Sequence, residues 1–137
     1  MSVVVDASVT LDWFFKSERT AYGNKVLVHV LREGCFEPFL WPSEVAHGLI
    51  KGVRRKELVR DEAQRAIELL RSVDAKVDQP DWRVVMARLY SLAEKHNTSG
   101  YDAAYVEVAA RLKLPLATKD VGLRRAAKDE GVELFPE

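Results

Sequence analysis

Short apolar runs alternate along the chain with longer stretches in which apolar residues recur every three or four positions. Runs of the first kind read as buried strands, and the longer stretches read as amphipathic helices. Val3, Val4 and Val5 form a β-branched run that stops at Asp6. From Ser8 onward, Val9, Trp13, Phe14 and Phe15 predict a short helix. Val26, Leu27, Val30 and Leu31 mark one side of a helix over residues 21–32, and Gly34 stands where a helix-ending glycine belongs. Residues 35–41 are extended and apolar, with the part after Pro38 expected as the second strand. Pro42, Ser43 and Glu44 then open a helix to about residue 55, with proline in its favoured first turn.

The same pattern continues to the end of the chain. Residues 61–73 predict a helix, and Ala75, Lys76 and Val77 a short third strand. A helix runs from Pro80 to about His96, and residues 97–100 form a loop. Residues 101–112 predict an alanine-rich helix, 114–118 a fourth strand, 121–130 a helix ended by Gly131, and 132–134 a last strand. Short strands separated by helices imply parallel pairing, because parallel strands need long crossovers. The expected class is α/β, with helices covering both faces of the sheet.

Length and charge narrow the picture further. The 137 residues, taken as 1–137, suit one domain. Lys+Arg and Asp+Glu each number 21, so a uniformly basic nucleic-acid coat is excluded while a local basic patch is not. One cysteine, Cys35, permits no internal disulfide and no cysteine-ligated zinc site, and it points to a reducing cytoplasm. No signal-peptide pattern and no membrane-length apolar run are expected. There is no phosphate-binding P-loop, no dinucleotide glycine motif and no His-Glu-x-x-His helix.

What remains chemically is a set of acids at strand exits. Asp6 follows the first strand, Glu44 opens the helix after the second, Asp102 opens the helix leading into the fourth, and Asp120 follows the fourth. In open α/β sheets the functional crevice lies outside the carboxyl ends of the strands, where the strand order reverses. Each acid taken alone also suits a helix cap or first turn. Four clustered carboxylates repel one another, and a hard divalent cation with oxygen ligands is their natural partner.

The segments Val4-Val5-Asp6-Ala7-Ser8, Pro42-Ser43-Glu44-Val45-Ala46, Tyr101-Asp102-Ala103-Ala104-Tyr105 and Leu116-Ala117-Thr118-Lys119-Asp120 resemble the PIN-domain nucleases. More narrowly, they resemble the VapC toxins of toxin–antitoxin pairs. The resemblance implies a five-stranded parallel sheet in the order 3-2-1-4-5, flanked by helices on both sides. It implies metal-dependent endonuclease cleavage of RNA, with Asp6, Glu44, Asp102 and Asp120 as the acidic quartet. Asp6, Asp102 and Asp120 would hold Mg²⁺ or Mn²⁺, and Ser8 and Thr118 would stand beside the acids. It also implies a homodimer and a VapB-type antitoxin partner. The family commonly has an asparagine three residues after its glutamate, and this chain has His47 there, expected as a buried, hydrogen-bonded structural residue. His29 and His96 are expected on helix surfaces.

Lys51, Arg54, Arg55, Lys56 and Arg60 form the densest basic run and Arg124-Arg125 a second; Arg54, Arg55, Lys56 and Arg124 are the candidate RNA contacts. A solvated helix face is the competing reading of such a run. Trp13, Phe14, Phe15, Trp41 and Trp82 fall in apolar patterns and are expected in the core or against a partner. Two rival functions stay open. Asp6-Ala7-Ser8-Val9-Thr10 faintly resembles the opening of haloacid-dehalogenase phosphatases, with Asp6 as nucleophile. The same scaffold could also serve as a non-catalytic RNA- or protein-binding module.

Overall fold

Val4–Val5 forms strand β1 and pairs in parallel with β4, Leu116–Ala117, in the register Val4 to Leu116 and Val5 to Ala117. This is a computed structural model, and it describes residues 1–16 and 19–136. A second parallel ladder joins β2, Cys35–Glu37, to β3, Ala75–Val77. Single parallel bridges connect Val3 to Cys35 and Leu116 to Leu134. The helices are α1 (Ala7–Asp12), α2 (Ala21–Glu33), α3 (Trp41–Arg54), α4 (Arg60–Ser72), α5 (Trp82–His96), α6 (Gly100–Leu112) and α7 (Val121–Asp129). The architecture is parallel α/β, as the alternating pattern predicts.

Two strands depart from expectation. The second lies before Pro38 rather than after it, and Trp41 already belongs to α3. Proline has no N–H to give a ladder, so pairing ends where Pro38 begins. The predicted last strand is reduced to one bridge at Leu134. The β1–β2 contact is also a single bridge, for a visible reason. Phe36 N donates to Val3 O, but the next β1 donor, Val5 N, turns to the Glu37 Oε1 atom at 2.7 Å. A side-chain carboxyl thus takes the place of a strand carbonyl.

The period-two alternation of strands sorts the core onto two faces. Val4 and Leu116 pack with Trp41, Val45, Leu49, Tyr105, Val106, Ala109, Leu123 and Ala127. Val3, Val5 and Ala117 point the other way, with Val9, Trp13, Val26, Val30 and Cys35. In α6 every residue from Ala103 to Ala109 is buried, and its alanines let neighbouring elements close around it. Glu107 in this run is held by Arg111 Nε at 2.9 Å and by Arg88 Nη1 at 3.5 Å. Trp82, by contrast, is 61% exposed, with Arg83 lying over its ring.

Behind the end of β1, the buried Trp41 Nε1 donates to Thr10 Oγ1 at 3.1 Å, and Thr10 Oγ1 donates to Asp6 O at 3.2 Å. A buried indole donor deprived of its acceptor costs about 1–3 kcal/mol. Thr10→Val keeps the shape and removes the hydroxyl. We expect it to lower the urea-unfolding free energy by about 1–3 kcal/mol with an unchanged denaturant slope.

Candidate functional site

The carboxyl ends of β1 and β4 set the first half of the site. Asp6 leaves β1 in extended conformation and caps α1, its Oδ1 accepting from Val9 N at 2.9 Å and from Ser8 Oγ at 2.9 Å. Its Oδ2 accepts from the hydroxyl of Thr118, at the end of β4. Thr118 Oγ1 in turn accepts from Asp120 N at 3.1 Å, and Asp120 Oδ1 caps α7 by accepting from Leu123 N at 2.8 Å. Asp6 and Asp120 thus both cap helices, and in each the cap bond to the helix uses Oδ1.

The second half comes from helix starts. Ser99 caps α6 by accepting from Asp102 N at 3.0 Å, which fixes Asp102 in the first turn. Glu44 lies in the first turn of α3, and its Oε1 accepts from Tyr105 OH at 2.6 Å. Tyr105 stands three residues after Asp102, on the same side of α6. It is fully buried, so its phenol is held protonated by burial first and by the Glu44 carboxylate second.

The acids are within electrostatic reach of one another. Asp102 is raised above the ordinary carboxylate value by burial, then by the charges of Asp120, Asp6 and Glu44. Asp6 is raised by burial, which outweighs the lowering bonds from Thr118, Val9 and Ser8; Asp12 adds a further like charge. Glu37 is wholly buried and pushed well upward for the same reason, and its Oε2 has no hydrogen-bond partner. Asp12 is paired with Lys119, the residue between Thr118 and Asp120. Among the described residues, no three Asp, Glu, His or Cys side chains form a ready cage for an ion. The donor set is all oxygen, which suits a hard cation. Mg²⁺ commonly uses one or two carboxylates and completes its shell with water, so the residues present fit such an ion without a three-ligand cage.

Several expectations change here. His47 is exposed on α3 rather than buried and bonded. The His96 side chain is only 7% exposed, with Nε2 at 2.7 Å from Glu130, so it is no free surface residue. Arg124 is half-buried and donates from Nη1 to Thr118 O at 2.8 Å, which ties α7 to β4. Arg54, Arg55 and Lys56 are exposed at the far end of α3. Sequence reasoning missed Tyr105, Glu37 and the Asp12–Lys119 pair. A tyrosine one turn after Asp102 was a usable signal; a carboxylate inside an apolar strand segment was not.

A family model, the PIN domain, matches residues 3–129. The chain belongs to the PIN domain family. "Ribonuclease VapC3" of Pyrobaculum aerophilum is 30% identical over 125 residues, covering 88% of this chain and 90% of that protein. "Ribonuclease VapC1" of Mycobacterium tuberculosis is 31% identical over 124 residues, covering 90% and 89%. These relatives place the PIN domain in the VapC group. Among solved structures, PAE2754 from Pyrobaculum aerophilum superposes with TM-score 0.69 at 26% identity, over 93% of this chain and 81% of that one. FitAcB from Neisseria gonorrhoeae gives TM-score 0.66 at 17% identity over 97% and 96%, a likeness of fold. No helix among the described residues is long and apolar enough to cross a membrane.

The electrostatics of this PIN domain carry a stability consequence. A carboxyl whose folded pKa is raised opposes folding increasingly as pH climbs from its ordinary value, 3.8 for Asp102, through the folded value. Asp102→Asn removes that opposition. In chelator, the variant is expected to melt above wild type at pH 7, with the difference closing below about pH 3.8. Calorimetry across this range checks the sign.

Proposed function

We propose that this PIN domain is a divalent-metal-dependent endoribonuclease, the toxin of a VapBC-type pair. The observation that carries the reading is that Asp102 is raised above the ordinary carboxylate value by burial and then by the charges of Asp120, Asp6 and Glu44, so the other three acids of the quartet all act on it. Such an arrangement costs stability in the free chain and gains a purpose when a cation binds. The names of the VapC relatives supply the substrate class, RNA. The single bridges beside β1 and β4 support the 3-2-1-4-5 strand order, which puts the order reversal between Asp6 and Asp120.

Asp6, Asp102 and Asp120 would hold Mg²⁺ or Mn²⁺, directly or through water. The ion, when bound, lowers the pKa of water, polarises the phosphoryl oxygen and stabilises the leaving oxygen. The protein's own groups do the rest. Thr118 and Ser8 fix the Asp6 carboxylate by donating to its two oxygens. Tyr105 fixes Glu44, which faces the pocket and orients the attacking water. A cognate antitoxin that sets a basic side chain among these acids would neutralise them and exclude the ion. The homodimer expected of the group and a cytoplasmic setting belong to the same proposal.

Asp6 is poorly placed for the phosphatase alternative. It is 6% exposed, and bonds from Ser8, Val9 and Thr118 fix its carboxylate in place, which suits a stationary ligand better than a nucleophile that must advance on phosphorus. The influence of three further acids on Asp102 weighs against the purely binding module.

Purified protein should cleave single-stranded RNA with Mg²⁺ or Mn²⁺ and stop in EDTA. Asp6→Asn should lower the rate about 100-fold or more, and Thr118→Val about 10- to 100-fold by loosening Asp6. End-sequencing of the products after brief incubation reads the cut. Cleavage by Asp6→Asn at the wild-type rate would reject the assignment.

A further inference from the structure

A cleft of about 550 Å³ opens from the acid rim between α1 and α3, lined among others by Ser8, Glu44, His47, Lys51 and Tyr101. It continues into a hollow of about 250 Å³ that shares Ser8, Leu11, Gly48 and Lys51 with it and reaches Arg55. The wall of this channel is one stripe of α3. Glu44, His47, Gly48, Lys51 and Arg55 follow the three-and-four spacing of a single helix face. At 1.5 Å per residue, Lys51 stands about 10 Å beyond Glu44 and Arg55 about 16 Å beyond it. The α3 wall therefore carries a carboxylate at one end and two cations, Lys51 and Arg55, at the other; the hollow is also lined by Glu57 and by Asp12, which is paired with Lys119.

Its floor is shaped by a missing side chain. A Cβ at Gly48 would lie 2.2 Å from Leu11 Cδ1 and 2.8 Å from Cδ2, so α1 and α3 touch there without a side chain of α3 in between. At the mouth, Tyr101 is 67% exposed, one residue before Asp102. An exposed phenol ring has no packing role to explain it, and it flanks the acids directly. The imidazole of His47, also exposed, lies along the same wall.

We infer that this channel is a single-stranded RNA subsite, in which Tyr101 stacks on a base next to the scissile phosphate and Lys51 and Arg55 hold the phosphates leading away from it. The inference rests on the nuclease reading above and adds the path of the strand. Charge complementarity selects the occupant. The acid end takes the phosphate being cut, and Lys51 and Arg55 on the α3 wall take its neighbours, with Asp12 already neutralised by Lys119, so a polyanion of regular spacing is served at both places. The apolar stretch between, with Leu11 and Leu40, suits the faces of nucleobases. His47, with a donor and an acceptor nitrogen, can pair with a base edge and so contributes to sequence preference.

The test uses the cleavage-impaired Asp6→Asn chain and a fluorescein-labelled single-stranded RNA of mixed sequence. Adding Tyr101→Ala should weaken binding about 5- to 100-fold, while Tyr101→Phe, which keeps the ring, should bind as the parent does. Adding Lys51→Ala should reduce the slope of log affinity against log salt by about 0.7, the share of one phosphate contact on a single strand. In the otherwise wild-type chain, His47→Ala should change which sequences are cut, with the melting temperature unchanged. If RNA affinity and salt slope are unaltered while the wild type still cleaves RNA, the subsite is wrong and the nuclease reading stands. If the wild type cleaves no RNA with Mg²⁺ or Mn²⁺, the nuclease reading itself fails. If the variants keep RNA affinity but shed a co-purifying protein, the channel belongs to a protein partner and the inference is overturned.

Discussion

The hydroxyl of Thr118 joins the two halves of this molecule's chemistry. It donates to the buried carboxylate of Asp6 and accepts from the backbone of Asp120, across the β1–β4 ladder. A carboxylate with 6% exposure would be costly without partners, and Asp6 has donors on both oxygens. The position of the acids is therefore fixed by strand pairing and helix caps, and no mobile loop is needed to hold them. Where the β1–β4 ladder goes, the site goes with it.

The second constraint is repulsion. Asp6, Glu44, Asp102 and Asp120 share one rim, with Asp12 and Glu37 close behind Asp6. The chain answers this locally. Lys119 pairs with Asp12, Tyr105 donates to Glu44, and burial pushes the Glu37 carboxyl well above its ordinary value. Among the described residues, the four acids of the quartet form no ion pair. Natural sites often give up stability in this way in return for a function.

Most of this was legible in the sequence, for physical reasons. Strand β1 and the helices announce themselves because burial imposes periodicity, and the four acids stood out because they interrupt or border apolar runs. Pro38 misled the placement of β2: apolar residues lie on both sides of it, but only those before it can complete a ladder. His96 looked like a surface residue because helix periodicity does not register a carboxylate arriving from α7, 34 residues away in the chain. Glu37 escaped for the opposite reason. A charged letter reads as exposed, whereas here it is wholly buried and serves as a substitute for backbone, a role visible only when Val5 is seen beside it. Tyr105 required knowledge of a partner 61 residues distant.

The span of the Asp6–Thr118 bond has a consequence for synthesis. Its members are 112 residues apart. A ribosome releases Asp6 well before Thr118, 112 residues later in the chain, so the acid cluster cannot assemble until β4 and the start of α7 have emerged. A nascent or truncated chain that stops short of Thr118 and Asp120 lacks it.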